Sequence, residues 1–477
     1  MPAVSGAEPR PLPLAAKVLY GVGEMPITIL MFISGLFLPF FYTSVMGLAP
    51  ALVGTMLLAS LLLDAVLDPY IGYLSDGTRH RFGRRHVYML PGALFMGLCF
   101  FLLFSPPQSL SRPVLIGWLL ASFISLRFTS ALYRIPYLSL GAEVSRGYDD
   151  RTATMAIRSL FGLLGAMSAG GLSFLLFFPN SADKLHYSGY PRLGLAFGAL
   201  MTVTGLFSTL GTWDRRTFAG ESATHATPHL LSGFLISWRN PDFRKIWIAS
   251  MIFWLAVTLN FSMAIHYFTW YAKIAKGGSL SSMQLAFCIG AMIGVFFWML
   301  LARYTEKRTL YLLAVSATAI VMLCGTLLVG EGHLFGTGHA LPLLFGHLLV
   351  GIFASAYWVL PSSMVADVTD TDELHTGLRR EGVYFGIMNF GEKAAVGAAF
   401  FLSGLLLTIF RKLSHGAAYG TPGNPPAAVP YVGILFGAVP AVLLLISLIS
   451  LLSYSLDRRA VHDIQQQLAA RGNMASS

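Results

Sequence analysis

Charge is what this sequence has least of. Over 477 residues it carries 32 Lys and Arg and 22 Asp and Glu, 11% of the chain, where a soluble domain has about 25%. That scarcity excludes an ordinary water-soluble globule. Cysteine is rarer still: Cys99, Cys288 and Cys324 all sit in apolar runs, without pairing or metal-ligand spacing, and read as small buried hydrophobes. The net charge is +10, but its basic residues are scattered between apolar runs, which excludes a nucleic-acid partner. The His225 and His229 pair lies in a polar linker and reads as solvated. Also missing are a metal-ligand cluster, a serine or cysteine nucleophile with a placed base, and a GxGxxG context. The chain therefore reads as no enzyme, with no cofactor. The first residues, "MPAVSGAEPRPLPLAAK", lack a short apolar core followed by a small-residue cleavage site, so no cleaved signal is expected.

Long apolar runs are what the chain has instead, and about 20 such residues cross a bilayer as helix. Twelve runs qualify: 17–45, 51–75, 86–105, 113–142, 153–178, 192–213, 243–272, 281–303, 308–330, 340–366, 382–410 and 427–456. The expected class is an all-α polytopic membrane protein with twelve transmembrane helices in two six-helix halves. Residues 1–213 form the first half, 214–241 a cytoplasmic linker, 242–456 the second half and 457–477 a cytoplasmic tail. With both termini inside, 21 Lys and Arg fall on inner segments, 7 on outer ones and four within spans. That bias follows the positive-inside rule and puts the chain, multi-pass and monomeric, in a plasma membrane of the bacterial inner-membrane type.

The halves echo one another. "YRIPYLSLGAEVSRGYDD" from Tyr133 aligns without gaps on "YWVLPSSMVADVTDTDEL" from Tyr357, matching Ser139 to Ser363 and Ala142-Glu143-Val144 to Ala366-Asp367-Val368. Repeats of this kind build transporters.

Against so apolar a background, charges inside spans stand out, because a carboxylate in hydrocarbon costs several kcal/mol. Asp64 and Asp68 in "LLLDAVLDPYIGYLSD" share a helix face at i and i+4. Pro69 frees a carbonyl nearby because it has no N–H. Two carboxylates with carbonyl oxygens make a hard-oxygen site for Na⁺ or a shared site for H⁺. Ion-paired acids packed between helices are the alternative. Arg127 and Arg134, seven apart, also share a face.

The loop "GYLSDGTRHRFGRRHVYML" combines Gly72, Asp76, Gly83, Arg84 and Arg85 and resembles the inter-helix motif of the major facilitator superfamily, lengthened by several residues. Together with "LDAVLDP", "RIPYLSLGAEVSRGYDDRT" and "ADVTDTDELHTGLRREGVYFG", it makes the chain resemble the glycoside–pentoside–hexuronide:cation symporters, the group of the melibiose carriers. Animal sodium-coupled lysolipid transporters are a related branch. The resemblance implies a cation-coupled sugar or glycoside symporter working by alternating access, with a lysophospholipid as the alternative substrate.

It also implies roles. Asp64 and Asp68 match the family's cation ligands, Lys393 a lysine tied to coupling, and Arg158 a sugar-contacting arginine. Two positions depart: Arg134 and Thr28 (preceded by Ile27) stand where melibiose carriers have acidic sugar ligands. The acids Asp64, Asp68 and Glu392 against Arg127, Arg134, Arg158 and Lys393 leave excess positive charge, which an anionic, uronide-like substrate would balance. Tyr133, Tyr137, Tyr357 and Trp358 cluster at equivalent places in the halves and are candidates for stacking on sugar. Asp76, Arg84, Arg85, Glu143, Arg151, Asp367 and Arg380 lie near cytoplasmic helix ends and read as salt-bridge latches or as plain loop charges.

Overall fold

A computed structural model describes residues 13–144, 148–180, 182–215, 237–377, 380–413 and 429–476. Among them are twelve helices long and apolar enough to span a membrane. They are α1 (Leu14–Val45), α2 (Pro50–Gly77), α3 (His86–Leu103), α4 (Arg112–Gly141), α5 (Ala153–Phe177), α6 (Gly189–Gly211), α7 (Pro241–Tyr271), α8 (Gly277–Leu301), α9 (Lys307–Leu327), α10 (Ala340–Thr376), α11 (Glu381–Phe410) and α12 (Val429–Leu451). A thirteenth helix, α13 (Arg458–Ser476), is polar. Every expected span is present. Helix is the only way such runs can satisfy their backbone in hydrocarbon. Local chemistry sets some ends: Asn240 caps α7 by accepting from the N–H groups of Asp242 and Phe243, and Gly377 closes α10 at φ 71°.

The chain forms two compact units. The first comprises Met1–Ser34, Leu63–Phe178 and His186–Thr224; the second comprises Gly35–Leu62, Pro179–Leu185 and His225–Ser477. The border therefore differs from the sequence halves: the C-terminal part of α1 and the N-terminal part of α2 pack with the second unit.

In the first unit, α3 packs against α4 and α6. At the α3–α6 crossing a Cβ on Gly97 would lie 2.1 Å from the carbonyl oxygen of Gly198. Only two glycines let the backbones approach that closely, the small-residue packing that replaces hydrophobic drive inside a membrane.

In the second unit, α8 packs along α10, and α7 along α11 and α12. The segment from α1 and α2 is seated on α11: a Cβ on Gly54 would meet the Phe400 carbonyl oxygen at 2.5 Å, and the Ala51 N–H donates to Thr408 Oγ1 at 3.0 Å. This unit also displays the internal repeat. α1 ends in a π turn at Phe41–Val45 and α7 in another at Tyr267–Tyr271. Met46 and Leu48 donate to the Phe41 and Tyr42 carbonyls, and Ala272 and Ile274 to those of Tyr267 and Phe268, all at 2.9 Å. Each turn closes on a left-handed residue, Gly47 at φ 72° and Lys273 at φ 53°. Every matched pair is 226 residues apart, close to the 224 separating Tyr133 from Tyr357.

Candidate functional site

Among the described residues, three carboxylate–arginine pairs join membrane-spanning helices of the first unit to one another. Asp64 and Asp68 lie one turn apart on α2, and Arg127 and Arg134 two turns apart on α4. The two helices therefore meet along matching faces. Arg127 Nη1 donates to Asp64 Oδ2 at 3.2 Å, and Arg134 Nη2 to Asp68 Oδ2 at 2.5 Å. Asp64 is buried, and Arg127 also lies over the Phe123 ring at 4.8 Å. Each acid thus has its own arginine, the ion-paired packing that the sequence left open beside a cation site, and both arginines were among those counted toward an anionic substrate. The pairing has a clear cause: at this depth an ionised group is tolerated only beside an opposite charge with good hydrogen-bond geometry.

The third pair was not foreseen. Glu24 on α1 places Oε2 3.3 Å from Arg158 Nε on α5, with the side chains 17% and 28% exposed. Thr28 sits one turn further along, where its hydroxyl donates to its own helix, to the carbonyls of Glu24 at 3.2 Å and Met25 at 3.1 Å. An acid therefore does stand on α1, one helical turn before Thr28. The charge count changes with it. Glu24, Asp64 and Asp68 equal Arg127, Arg134 and Arg158 in the first unit, and Glu392 equals Lys393 in the second. The excess positive charge is therefore reduced by one and is absent until a cation binds.

Behind Glu24 and Arg158 stands a ladder of phenols. Tyr20 stacks on Tyr137 with ring centroids 4.7 Å apart, and Tyr137 on Tyr133 at 5.6 Å. Tyr133 donates to the Gly23 carbonyl at 3.1 Å. All three rings are buried. Tyr133 and Tyr137 stack on each other and back the pair, rather than presenting a ring face to a sugar.

The second unit holds a different constellation. The Tyr357 hydroxyl donates to Glu392 Oε1 at 2.6 Å, tying α10 to α11. Phe253 of α7 stacks on Tyr357 at 4.3 Å, and Trp254 meets the same ring edge-on at 5.6 Å. Trp358 turns away and is 52% exposed, so the tryptophan beside Glu392 is Trp254, which lacked any sequence signal beyond its place in an apolar run. Lys393 is half-buried on the next position of α11.

The expected latches find other partners. Arg85 is buried, donates to Ser75 Oγ at 2.7 Å and pairs with Asp76 at 2.5 Å, which pins the loop between α2 and α3. Arg84 is half-buried beside it. Asp367 pairs with Lys307 at 2.5 Å, and Arg380 with Asp372 at 3.1 Å, so each ties elements of the second unit together. The side chains of Glu143 and Arg151 lie outside the described residues.

Buried acid–base pairs on crossing helices, in a twelve-span fold with an internal repeat, define a membrane transporter. Comparison agrees. Residues 19–458 match the family described as MFS/sugar transport protein, and the chain belongs to it. This is the glycoside–pentoside–hexuronide:cation symporter group of the major facilitator superfamily, and the chain is a symporter for a small molecule, not an enzyme. Relatives include an uncharacterized symporter of Synechocystis, 27% identical over 96% of this chain and 97% of its own, and the isoprimeverose transporter of Lactiplantibacillus pentosus, 24% identical over 97% and 94%. The sodium-dependent lysophosphatidylcholine symporter 1 of Gallus gallus is 22% identical over 96% and 90%. Among solved structures, a bacterial homolog of the human lysosomal transporter Spinster, inward-facing and unoccupied, superposes with a TM-score of 0.63 at 12% identity, covering 95% of this chain and 96% of that one; this shows the fold.

Proposed function

We propose that this chain carries a sugar or glycoside across a membrane of the bacterial inner-membrane type, driven by Na⁺ or H⁺ entering at Asp64 and Asp68. The observation that carries the reading is the pairing of both acids with Arg127 and Arg134. A cation reaching these carboxylates competes with two guanidinium groups, and its binding frees them to move. Cation arrival is thereby converted into a shift of α2 against α4, a differential stabilisation of one conformation of the kind that alternating access requires.

Glu24 and Arg158 supply the substrate contacts. A carboxylate accepts from sugar hydroxyls, and the planar guanidinium donates to them. The in-span charges balance before a cation binds and leave one net positive charge once it has, so the pocket suits a neutral sugar or glycoside and, in the loaded state, a singly anionic uronide. Lys393 and Glu392 take part from the second unit. The carrier works as a monomer with both termini cytoplasmic, in keeping with the Lys and Arg distribution. A lysophospholipid is the second reading, supported by the relative from Gallus gallus.

The test is uptake by proteoliposomes of a neutral disaccharide, a glucuronide and lysophosphatidylcholine, under a Na⁺ or a proton gradient. Cation-driven uptake of the neutral sugar supports the proposal, uptake of the glucuronide alone restores the anionic reading, and uptake of the lysolipid alone replaces the sugar.

A further inference from the structure

The second unit holds a cavity of about 490 Å³, and none of its lining residues belongs to a charged pair described above. Helices α7, α8, α9 and α10 line it together with a π turn at Ile434–Ala438 within α12, through residues such as Phe261, Phe287, Val321, Phe345, Val350 and Phe436. Its polar lining is sparse and partly spent on backbone. The Asn260 amide donates to the Phe436 carbonyl at 2.6 Å, and His347 Nδ1 to the Leu343 carbonyl at 2.7 Å. Such a wall offers little to a hydroxyl-rich solute, and an apolar space does not hold water. An apolar occupant would supply contacts that the side chains along this wall do not make with one another.

The cavity is open along one strip. Leu341, Phe345 and Leu349 recur every fourth residue of α10, so they share a face, and all three line the cavity. They are 64%, 55% and 39% exposed. Leucine and phenylalanine exposed on a membrane-spanning helix suit contact with hydrocarbon rather than water, which fits an opening toward the bilayer. The wall between α9 and α10 is thin: a Cβ on Gly346 would find only Val321 Cγ1, at 4.0 Å.

We propose that this cavity is a lipid site that takes up one acyl chain of a diacyl bilayer phospholipid through the Leu341–Phe345–Leu349 opening. The chain completes the packing of the second unit where side chains do not meet. The proposal stands independently of the transported substrate.

The test uses the full chain in nanodiscs doped with a phosphatidylglycerol bearing a diazirine at the end of one acyl chain, and a parallel sample doped with a lysophosphatidylcholine carrying the same group. After illumination, labelled peptides are mapped. The expected result is diacyl-probe labelling of cavity-lining residues on α9 and α10, lost in Gly346→Phe while labelling of other helices is unchanged. Gly325→Phe fills the cavity from α9, where a Cβ meets only Phe436 at 3.9 Å, and serves as a second variant should the first fail to fold. Absence of label from the lining, label that persists in the filled variants, or labelling by the lysolipid alone would overturn the proposal.

Discussion

Arg158 Nε lies 3.3 Å from Glu24 Oε2, joining the fifth span to the first through two ionised side chains that are both mostly shielded from water. Neither partner is comfortable alone. Removing one leaves the other charged and under-solvated, a loss that reaches about 3–5 kcal/mol for fully buried pairs and is smaller where water retains access. Glu24→Gln and Arg158→Gln should each reduce uptake at least about tenfold, a transition-state cost of roughly 1.4 kcal/mol or more. Gln keeps the shape of Glu, so in Glu24→Gln the detergent melting temperature should move less than activity. Uptake that survives Arg158→Gln would remove this pair from the substrate site.

The acids on α2 respond differently from their arginine partners. Asp68→Asn should abolish cation dependence, because an amide cannot offer a negative oxygen to Na⁺ or receive a proton in this range. Arg134→Met leaves Asp68 without its guanidinium, and should lower the melting temperature while tightening cation binding by removing the competitor. The double variant Asp68→Leu with Arg134→Met should regain stability, since buried pairs are often replaced by apolar residues without loss, yet stay uncoupled. Cation titrations followed by tryptophan fluorescence on all three variants separate these outcomes.

Backbone proximity between α3 and α6 predicts a sharp positional contrast. Gly97→Leu forces a side chain into the Gly198 carbonyl, and overpacking of this kind costs about 1–3 kcal/mol or more. Gly117→Ala on α4 meets nothing within 4 Å and should be neutral. Thermal unfolding in detergent distinguishes the two in one experiment.

Lys184, in the connection between α5 and α6, is fully buried, and burial pulls its ammonium down to about 7. The unfolded chain, with an ordinary lysine near 10.4, then binds more protons than the folded one between these values. Stability therefore rises with pH across that window and is lost as pH falls toward 7. Lys184→Met should be more stable than the parent at pH 7 and lack the slope, read from melting temperatures at pH 7 and 9.

Much of this was legible from residue order alone. Twelve spans follow from hydropathy because the bilayer leaves the backbone no other option. Asp64 with Asp68 at four, and Arg127 with Arg134 at seven, announced charged faces on two helices; their mutual pairing was implicit, since charges at that depth need partners. Glu24 escaped attention although it is the single acid in the first apolar run. The resemblance to the family points to Ile27 and Thr28, and that Glu24 one turn earlier meets Arg158 depends on how α1 packs on α5, which residue order does not show. Trp254 and Lys307 could not have been chosen, because their roles depend on which face of α7 and which end of α9 meet α10 and α11. The π turns at Phe41 and Tyr267 have no compositional signature either, and their equivalence shows only in the hydrogen bonds.

The central claim is that Asp64 and Asp68 receive the driving cation in exchange for Arg127 and Arg134. Its most direct measurement is binding of a neutral glycoside to the purified full chain by calorimetry, with Na⁺ or protons varied, for the parent and Asp68→Asn. The account predicts that affinity in the parent rises with one of these cations and that in Asp68→Asn it no longer responds. Glycoside affinity that depends on the cation equally in both proteins would contradict it.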